Sequence, residues 1–468
     1  MTAKPSPDHK RRKRRILVAG GSGFIGSRLI KRLSEENIDP PEPQSNLEIL
    51  CLTRDPQSIK DVFDKDIRLI KADVSNYEDL ARVMSEQIDV AYYLVHSMEG
   101  ASKQWKKFSE RDRFAAMNFA KAASEFGVKR IIYLGGLTHA EKGNDDNLSE
   151  HMRSRKEVGE ILKQHSSSKV TIFRAAVILG QGGGSFQMLQ YLVERLPVMI
   201  CPRWVLTKCQ PIAVGDVVEY LAQCIEINET EGKTLDIGGP EVLTYLDMMR
   251  KYAKILDKSV HIIIIPFLTP RLSSYWVDLV TPVRASLARP LIDSLKHDAT
   301  VQDGDSVRLW IPIQLKSFEE AIGVARSEKV QRKQPNRPVK ERSTLNINRV
   351  VLMLSLLAMA AIGITYYVID ERPEIYNINW IILGTFWYLG IAFAIYFLRY
   401  GARLGALTAG VLGWLTLTFW LVDNLYIVWG TSVIASSPDT TITIRNFIGA
   451  GIAALVVATS HNLFHKWR

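Results

Sequence analysis

Cysteine is scarce in this chain. The four residues Cys51, Cys201, Cys209 and Cys224 show no CxxC spacing and have no histidine cluster near them. Neither a disulfide frame nor a zinc site is expected, no metal is implied, and the thiols read as free in a reducing compartment. An apolar core is missing from the charged opening 1–15, so no secretory signal is read there and the soluble part is expected to stay cytoplasmic. Interleaved aromatics are missing from the basic stretches, which speaks against a nucleic-acid partner.

What is present divides the chain. A length of 468 residues exceeds the usual ceiling of about 250–300 residues for one folding unit. Residues 1–349 read as an ordinary soluble α/β protein, whereas 350–468 are mostly apolar. The net charge of +10 is concentrated in Lys10 to Arg15 and in Arg326, Lys329, Arg332, Lys333, Arg337, Lys340, Arg342 and Arg349. Anionic lipid headgroups fit these blocks, each cation near such a surface contributing on the order of 1 kcal/mol. The first ten residues also read as a solvated tail.

The stretch 350–369 carries no Asp, Glu, Lys or Arg, and at about 1.5 Å per residue it crosses the roughly 30 Å hydrocarbon layer as a helix. Residues 380–398 and 404–422 repeat the pattern, and 441–460 give a fourth span whose start is interrupted by Arg445. Basic segments precede the first span, lie between Arg399 and Arg403, and close the chain at Lys466 to Arg468, while 370–379 and 436–440 are not basic. The positive-inside rule therefore places both ends of four spans on the cytoplasmic side of a multi-pass cell-membrane protein. Tyr366, Tyr367 and Trp380 would sit at the outer interface, Tyr396 and Tyr400 at the inner. Gly449 with Ala453, and Ala450 with Ala454, are spaced for close helix packing, although small residues are common in such helices. Asp423, at the outer end of the third span, reads either as an interface residue beside Asn424 or as lining a pathway.

Nucleotide chemistry is written at the other end. Ile16 to Ala19 is a short aliphatic run ending in Gly20-Gly21-Ser22-Gly23-Phe24-Ile25-Gly26, followed by the helical pattern 27–33. Strand, tight glycine turn and helix suit a pyrophosphate: glycines admit close backbone approach, and the helix start offers amide hydrogens and a positive dipole end. Gly20, Gly23, Phe24, Ile25 and Gly26 are the candidate cofactor contacts. The second strand, 48–52, ends in Thr53-Arg54, where an arginine rather than an acid favours the 2'-phosphate of NADP(H) over NAD(H). The adjacent Asp55 leaves open that Arg54 is a loop charge. Further strands at 68–71, 90–95, 130–134 and 170–173 alternate with helical stretches at 77–87, 103–126 and 154–164. The expected fold is a doubly wound parallel Rossmann sheet with a small substrate or lid region, followed by an all-α four-helix transmembrane domain. The boundaries read as a basic tail 1–15, a nucleotide-binding domain 16–325 whose lid region spans about 200–325, a basic linker 326–349 and a transmembrane domain 350–464.

The GxxGxxG turn, Asp73-Val74 after the third strand, and a lysine-bearing helix after the fifth resemble the short-chain dehydrogenase/reductase superfamily in its extended, atypical branch. Tyr93 to Met98, Pro202-Arg203-Trp204 with Gln210 to Val214, Gly238 to Leu243, and the segment from Trp276 to Asp298 look more closely like an NmrA-like bacterial and archaeal subgroup of NAD(P)-binding proteins. The resemblance covers about 16–325. It implies Asp73 and Val74 as further cofactor contacts, and Lys156 as a group on the nicotinamide ribose with a catalytic part.

The chain departs from that superfamily where its chemistry resides. The usual acid is a tyrosine four residues before the lysine, but Met152 precedes Lys156, and Gly135-Gly136 replace the usual serine. A thioether cannot protonate a carbonyl oxygen. His96, just past the fourth strand, is the candidate catalytic acid/base by position and ordinary pKa, and a loop histidine hydrogen-bonded beside the pyrophosphate is its plainer reading. Lys156 can equally be a helix-surface lysine. Thr138, His139 and His151 are reserves. Gln181 to Ser185 reads as a lip over the nicotinamide or a plain turn, and Asp216 as a helix cap. The apolar stretch 266–295 either closes a substrate pocket or lies on the membrane.

Two functions follow. One is a membrane-anchored NADP(H)-dependent oxidoreductase acting on a hydrophobic quinone, isoprenoid or lipid-linked substrate. The other is a catalytically inactive NADPH-binding assembly, accessory or redox-sensing factor of a membrane complex; the missing Tyr and Ser resemble the complex I accessory subunit and assembly factors of photosynthetic membranes. A nucleotide-gated transporter fits least, because the spans offer almost no buried ionisable residue.

Overall fold

The computed structural model describes residues 12–38, 47–63, 66–95, 105–137, 148–196, 198–265, 292–295, 297–302, 304–333, 347–368, 378–399, 403–429 and 440–466. They belong to two compact units, Met1–Arg271 with Ser286–Lys333, and Leu272–Ala285 with Gln334–Arg468.

The first unit is built on a sheet of seven parallel strands: β1 (Arg14–Ala19), β2 (Leu47–Thr53), β3 (Arg68–Lys71), β4 (Val90–Tyr93), β5 (Arg130–Gly136), β6 (Lys169–Ala175) and β7 (Thr234–Ile237). Their order is β7-β6-β5-β4-β1-β2-β3. The direction of winding reverses between β1 and β4, which pair from Ile16 with Val90 to Ala19 with Tyr93. Period-two alternation sends the two halves of each strand's side chains to different cores. Ile16, Val18, Tyr92, Ile132 and Phe173 pack on one face, and Leu17, Ala19, Tyr93, Ile131 and Tyr133 on the other. Nearly all of them are fully buried, as strands covered on both faces require.

Helices α1 (Gly26–Ile38), α2 (Tyr77–Met84), α3 (Trp105–Glu125) and α4 (Glu150–Gln164) follow β1, β3, β4 and β5, and the short turn Pro56–Ile59 lies between β2 and β3. α4 starts four residues before its expected Ser154, because the Ser149 side chain caps it by accepting from the Met152 amide at 3.2 Å. Beyond β6 come α5 (Gly184–Arg195), α6 (Val214–Gln223), α7 (Tyr245–Ile255), α8 (Gly304–Trp310) and α9 (Phe318–Lys333). A parallel ribbon joins Val198–Pro202 to His261–Ile265. α9 continues through Arg326 to Lys333, so the first part of the stretch read as linker is helical. Most of the apolar stretch 266–295, from 266 to 291, lies outside the described residues.

The second unit contains α10 (Ile347–Val368), α11 (Ile378–Arg399), α12 (Arg403–Trp429) and α13 (Thr440–Lys466). All four are long and apolar enough to cross a membrane. Small residues bring α12 and α13 together: a Cβ on Gly413 would lie 2.9 Å from Val456, and one on Gly449 would lie 2.6 Å from the Trp420 ring. Ala450 and Ala453 are buried in the same contact, whereas Ala454 faces outward. Arg445 does not break the fourth helix. It is 8% exposed, and its Nε and Nη2 both donate to Asn446 Oδ1 at 3.2 Å. Asn446 in turn donates to Asp423 Oδ2 at 2.7 Å, so Asp423 bonds across to α13 and is more than an interface residue beside Asn424. Tyr400 and residues 369–377 and 430–439, which entered the orientation reading, lie outside the described residues.

Candidate nucleotide site

The glycine turn sits at the reversal point of the sheet, where open α/β folds bind ligands beyond the strand ends. Gly20 follows β1 with φ +87°, and a Cβ there would lie 2.7 Å from the Leu94 carbonyl oxygen just past β4. No side chain fits that approach, and a left-handed φ is itself unfavourable for anything but glycine. A Cβ on Gly26 would lie 2.3 Å from the Gly20 oxygen, so α1 begins tight against the turn. Gly23 is different: a Cβ there would meet only the Gly20 oxygen, at 3.1 Å, which leaves its outer side open. The first helical bond of α1 runs from the Ser27 amide to the Gly23 oxygen at 3.1 Å. The amides of Phe24, Ile25 and Gly26 precede it and are the donors a helix start offers to an anion. An open cradle of glycine and helix-start amides fits a pyrophosphate.

The Phe24 side chain packs on protein, while its backbone amide stays among the helix-start donors. Its ring lies against the turn after β6, where a Cβ on Gly183 would be 2.9 Å from Phe24 Cζ. Arg28 ties the same pieces together by donating to the Phe24 and Gln181 carbonyl oxygens, each at 2.9 Å, and to Glu328 on α9 at 2.5 Å. Gln181 to Ser185 is therefore seated beside the glycine turn. The sequence reading missed Arg28, although a cation in the first turn of a helix runs against the helix dipole and was the available signal.

Arg54 is exposed just after β2 and makes no ion pair among the described residues. Asp55 is occupied elsewhere, since its side chain caps the turn Pro56–Ile59 by accepting from the Gln57 amide at 3.1 Å. Asp73 Oδ1 accepts from the Ser75 amide at 2.9 Å, closing the turn after β3. Val74 packs against the core on that side of the sheet. The chain is described as far as Val95, beside Gly20, and His96 lies outside the described residues, as do Thr138 and His139.

At the superfamily's Ser and Tyr positions the structure shows packing. Met152 and Lys156 stand one turn apart on α4, and a Cβ on Gly136, the last residue of β5, would be 2.7 Å from Met152 Cε and 3.1 Å from its Sδ. The thioether covers the strand end that the usual serine would occupy, so the two replacements are one steric unit. Lys156 is exposed and has an interaction of its own. His151, beside Met152, is half-buried.

Asp216 is not the cap of α6, whose cap residue is Ala213. Its buried carboxylate accepts from the Lys316 amide at 2.8 Å and from Lys316 Nζ at 2.9 Å, holding the segment before α9. The four cysteines are free and buried, and burial pushes each thiol up to about 12. Among the described residues no cluster of His, Cys, Asp and Glu is arranged to hold a metal.

Residues 16–236 match the model of the NAD dependent epimerase/dehydratase family. The chain is 22% identical over 265 residues to the chloroplastic divinyl chlorophyllide a 8-vinyl-reductase of Arabidopsis thaliana, which covers 54% of this chain and 60% of that protein. It is 24% identical over 239 residues to the mitochondrial NADH dehydrogenase [ubiquinone] 1 alpha subcomplex subunit 9 of Dictyostelium discoideum, covering 50% and 62%. The chain thus spans about three fifths of the length of these curated relatives. Among solved structures, UDP-glucuronic acid 4-epimerase from Bacillus cereus in complex with NAD superimposes with a TM-score of 0.50 at 16% identity, over 68% of this chain and 99% of that one.

Proposed function

We propose, from the premise that residues 16–236 form a domain of the NAD dependent epimerase/dehydratase family, that this chain is a membrane-anchored NADP(H)-dependent reductase or dehydrogenase of a hydrophobic carbonyl substrate. The observation that carries the reading is the glycine turn at the sheet's reversal point, with Gly20 and Gly26 too crowded for any side chain.

When bound, the dinucleotide supplies or accepts a hydride. Every other part of the step belongs to the chain. The amides of Phe24, Ile25 and Gly26 hold the linked phosphates, and the seated turn Gln181 to Ser185 closes over the nicotinamide end. Arg54 pairs with a 2'-phosphate, a preference supported by Asp55 being taken up as a cap. Reduction of a carbonyl to an alcohol needs one proton besides the hydride, and neither Met152 nor Gly136 carries one. His96, two residues past the Leu94 carbonyl that touches Gly20, is the proposed donor to the substrate oxygen, with Lys156 on the nicotinamide ribose. The four apolar helices would deliver a quinone, isoprenoid or lipid-linked substrate from the bilayer, with the basic segments at the cytoplasmic face.

One observation favours a second reading. The packing of Met152 on Gly136 leaves no hydroxyl at either family position, which suits a protein that holds NADPH as a structural or sensing ligand of a membrane complex. Full-length protein in detergent separates the two. The reductase reading expects NADPH to be consumed with a quinone or isoprenoid aldehyde, and turnover to fall in His96→Ala. Tight NADPH binding without consumption across that panel leaves the accessory reading standing. Absence of heat with NADPH and NADH alike sinks both.

A further inference from the structure

Buried donors in the nucleotide-binding unit are generally paired. Arg130, 2% exposed, donates to the Cys224 carbonyl oxygen at 2.7 Å and to Thr171 and Thr230. Tyr92 donates to the Leu221 oxygen at 2.6 Å, and Tyr252 to Glu194 at 2.9 Å. Trp204 breaks the pattern. It lies in the short turn Arg203–Leu206 after the strand Val198–Pro202, is 8% exposed, and its indole Nε1 has no hydrogen-bond partner among the described residues. Unpaired buried donors are rare in folded proteins and cost the full loss of hydration, so such a group points to a ligand.

Its position says which ligand side it serves. The indole meets Tyr245 edge to face, with ring centres 5.5 Å apart and planes at 65°. Tyr245 is buried and donates to the Ser185 carbonyl oxygen at 3.4 Å. Ser185 belongs to the turn that Phe24 and Arg28 hold against the glycine loop. Trp204 is thus fixed, through one ring contact and one hydrogen bond, to the segment beside the nicotinamide end of the site. That segment carries a second buried atom unpartnered among the described residues, the acceptor Gln181 Oε1.

We propose that Trp204 is a substrate-binding residue whose indole N–H donates a hydrogen bond to the carbonyl oxygen of an apolar ligand, which deepens the reductase reading and rests on it. An indole N–H is a donor only and keeps its proton throughout, so its part is binding and orientation. Val205, next in the chain, and the ring partner Tyr245 are both neutral and buried. A buried apolar surrounding favours a neutral acceptor, because burying an anion costs its hydration.

The test uses full-length protein in detergent and a pair of probes of nearly equal shape, menadione and 2-methylnaphthalene, of which only the first has carbonyl oxygens. The wild type is expected to bind menadione about tenfold more tightly than the hydrocarbon, the size of one hydrogen bond to a buried donor, and Trp204→Phe to lose that preference. NADPH affinity of the variant should stay at the wild-type value, which reports an intact fold. In the wild type, the indole N–H signal assigned to Trp204 by the variant should shift with menadione and stay in place with 2-methylnaphthalene. A wild type that does not prefer menadione, a preference that survives Trp204→Phe, or an unmoved indole signal overturns the proposal. Failure of NADPH to bind the wild type would instead overturn the nucleotide reading, and the probe arms would be unaffected.

Discussion

If Met152 and Gly136 are one steric unit, their substitution energies should not add. A methyl on Gly136 would lie 2.7 Å from Met152 Cε, which is about 0.8–1.3 Å inside the usual carbon–carbon contact of about 3.5–4.0 Å. The thioether arm can swing away, at a cost of about 0.5–1.5 kcal/mol for leaving its rotamer, and some repacking adds to this. Gly136→Ala should therefore destabilise by about 1–2 kcal/mol, in the range typical of overpacking. Met152→Ala alone should cost about 1–2 kcal/mol, less than a full core truncation because the side chain is half-buried. In the double variant the new methyl has room, so Gly136→Ala should cost nothing further or stabilise slightly. The coupling is then about 1–2 kcal/mol in favour of the double variant. Thermal melting of the full-length protein in detergent, at about 2–4 °C per kcal/mol for a domain of this size class, resolves it. Equal costs of Gly136→Ala in both backgrounds would refute the packing argument.

Other outcomes follow from single contacts. Arg54→Ala should weaken NADPH by about 10–100-fold, the loss of a charge-assisted bond to a 2'-phosphate, and leave NADH nearly unchanged; parallel titrations check it, and equal losses would remove the arginine from the 2'-phosphate. Gly26→Ala, which puts a methyl 2.3 Å from the Gly20 oxygen, should abolish measurable NADPH binding in calorimetry while the four-helix unit keeps its helical content. Asn446→Leu removes the bridge between Arg445 and Asp423 and should lower the stability of the helical unit by about 0.6–2 kcal/mol, the range for polar contacts between membrane helices; an unchanged melting point would mean the bridge contributes nothing. Bonds from the Arg15 and Arg68 guanidiniums hold the Glu48 carboxyl below its ordinary range. Because the folded value is depressed, this contribution is present above the ordinary glutamate range and disappears as pH falls through the depressed value. Glu48→Gln should melt below the wild type at neutral pH, and the gap should close in acid; a gap independent of pH would contradict the assignment.

What could be read in advance was local. The first six strands are short apolar runs between breakers, and the glycine turn is legible because its chemistry lies within seven consecutive residues, Gly20 to Gly26. The apolar helices were legible for the same reason, although α12 and α13 run further than their apolar cores. β7, Thr234–Ile237, was not read as a strand. The start of α4 was misplaced because Glu150 to Arg153 is polar and its signal is a cap at Ser149. Contacts joining distant segments were not legible at all. Arg28 meets Gln181 and Glu328, and Asp216 meets Lys316, across separations of 100 to 300 residues. The substitutions at Met152 and Gly136 were visible singly, but that one fills the space left by the other required the distance between α4 and β5.

The four sequestered thiols make the molecule its own blank for chemical labelling. With every native sulfhydryl enclosed and pushed to about 12, a maleimide at neutral pH meets almost no thiolate on the wild-type chain. A single cysteine engineered into the segment between α10 and α11, or between α12 and α13, would then be the one group to react. Membrane-impermeant reagents applied to intact cells would report on which side of the bilayer those segments emerge, with no need to strip the natural cysteines first.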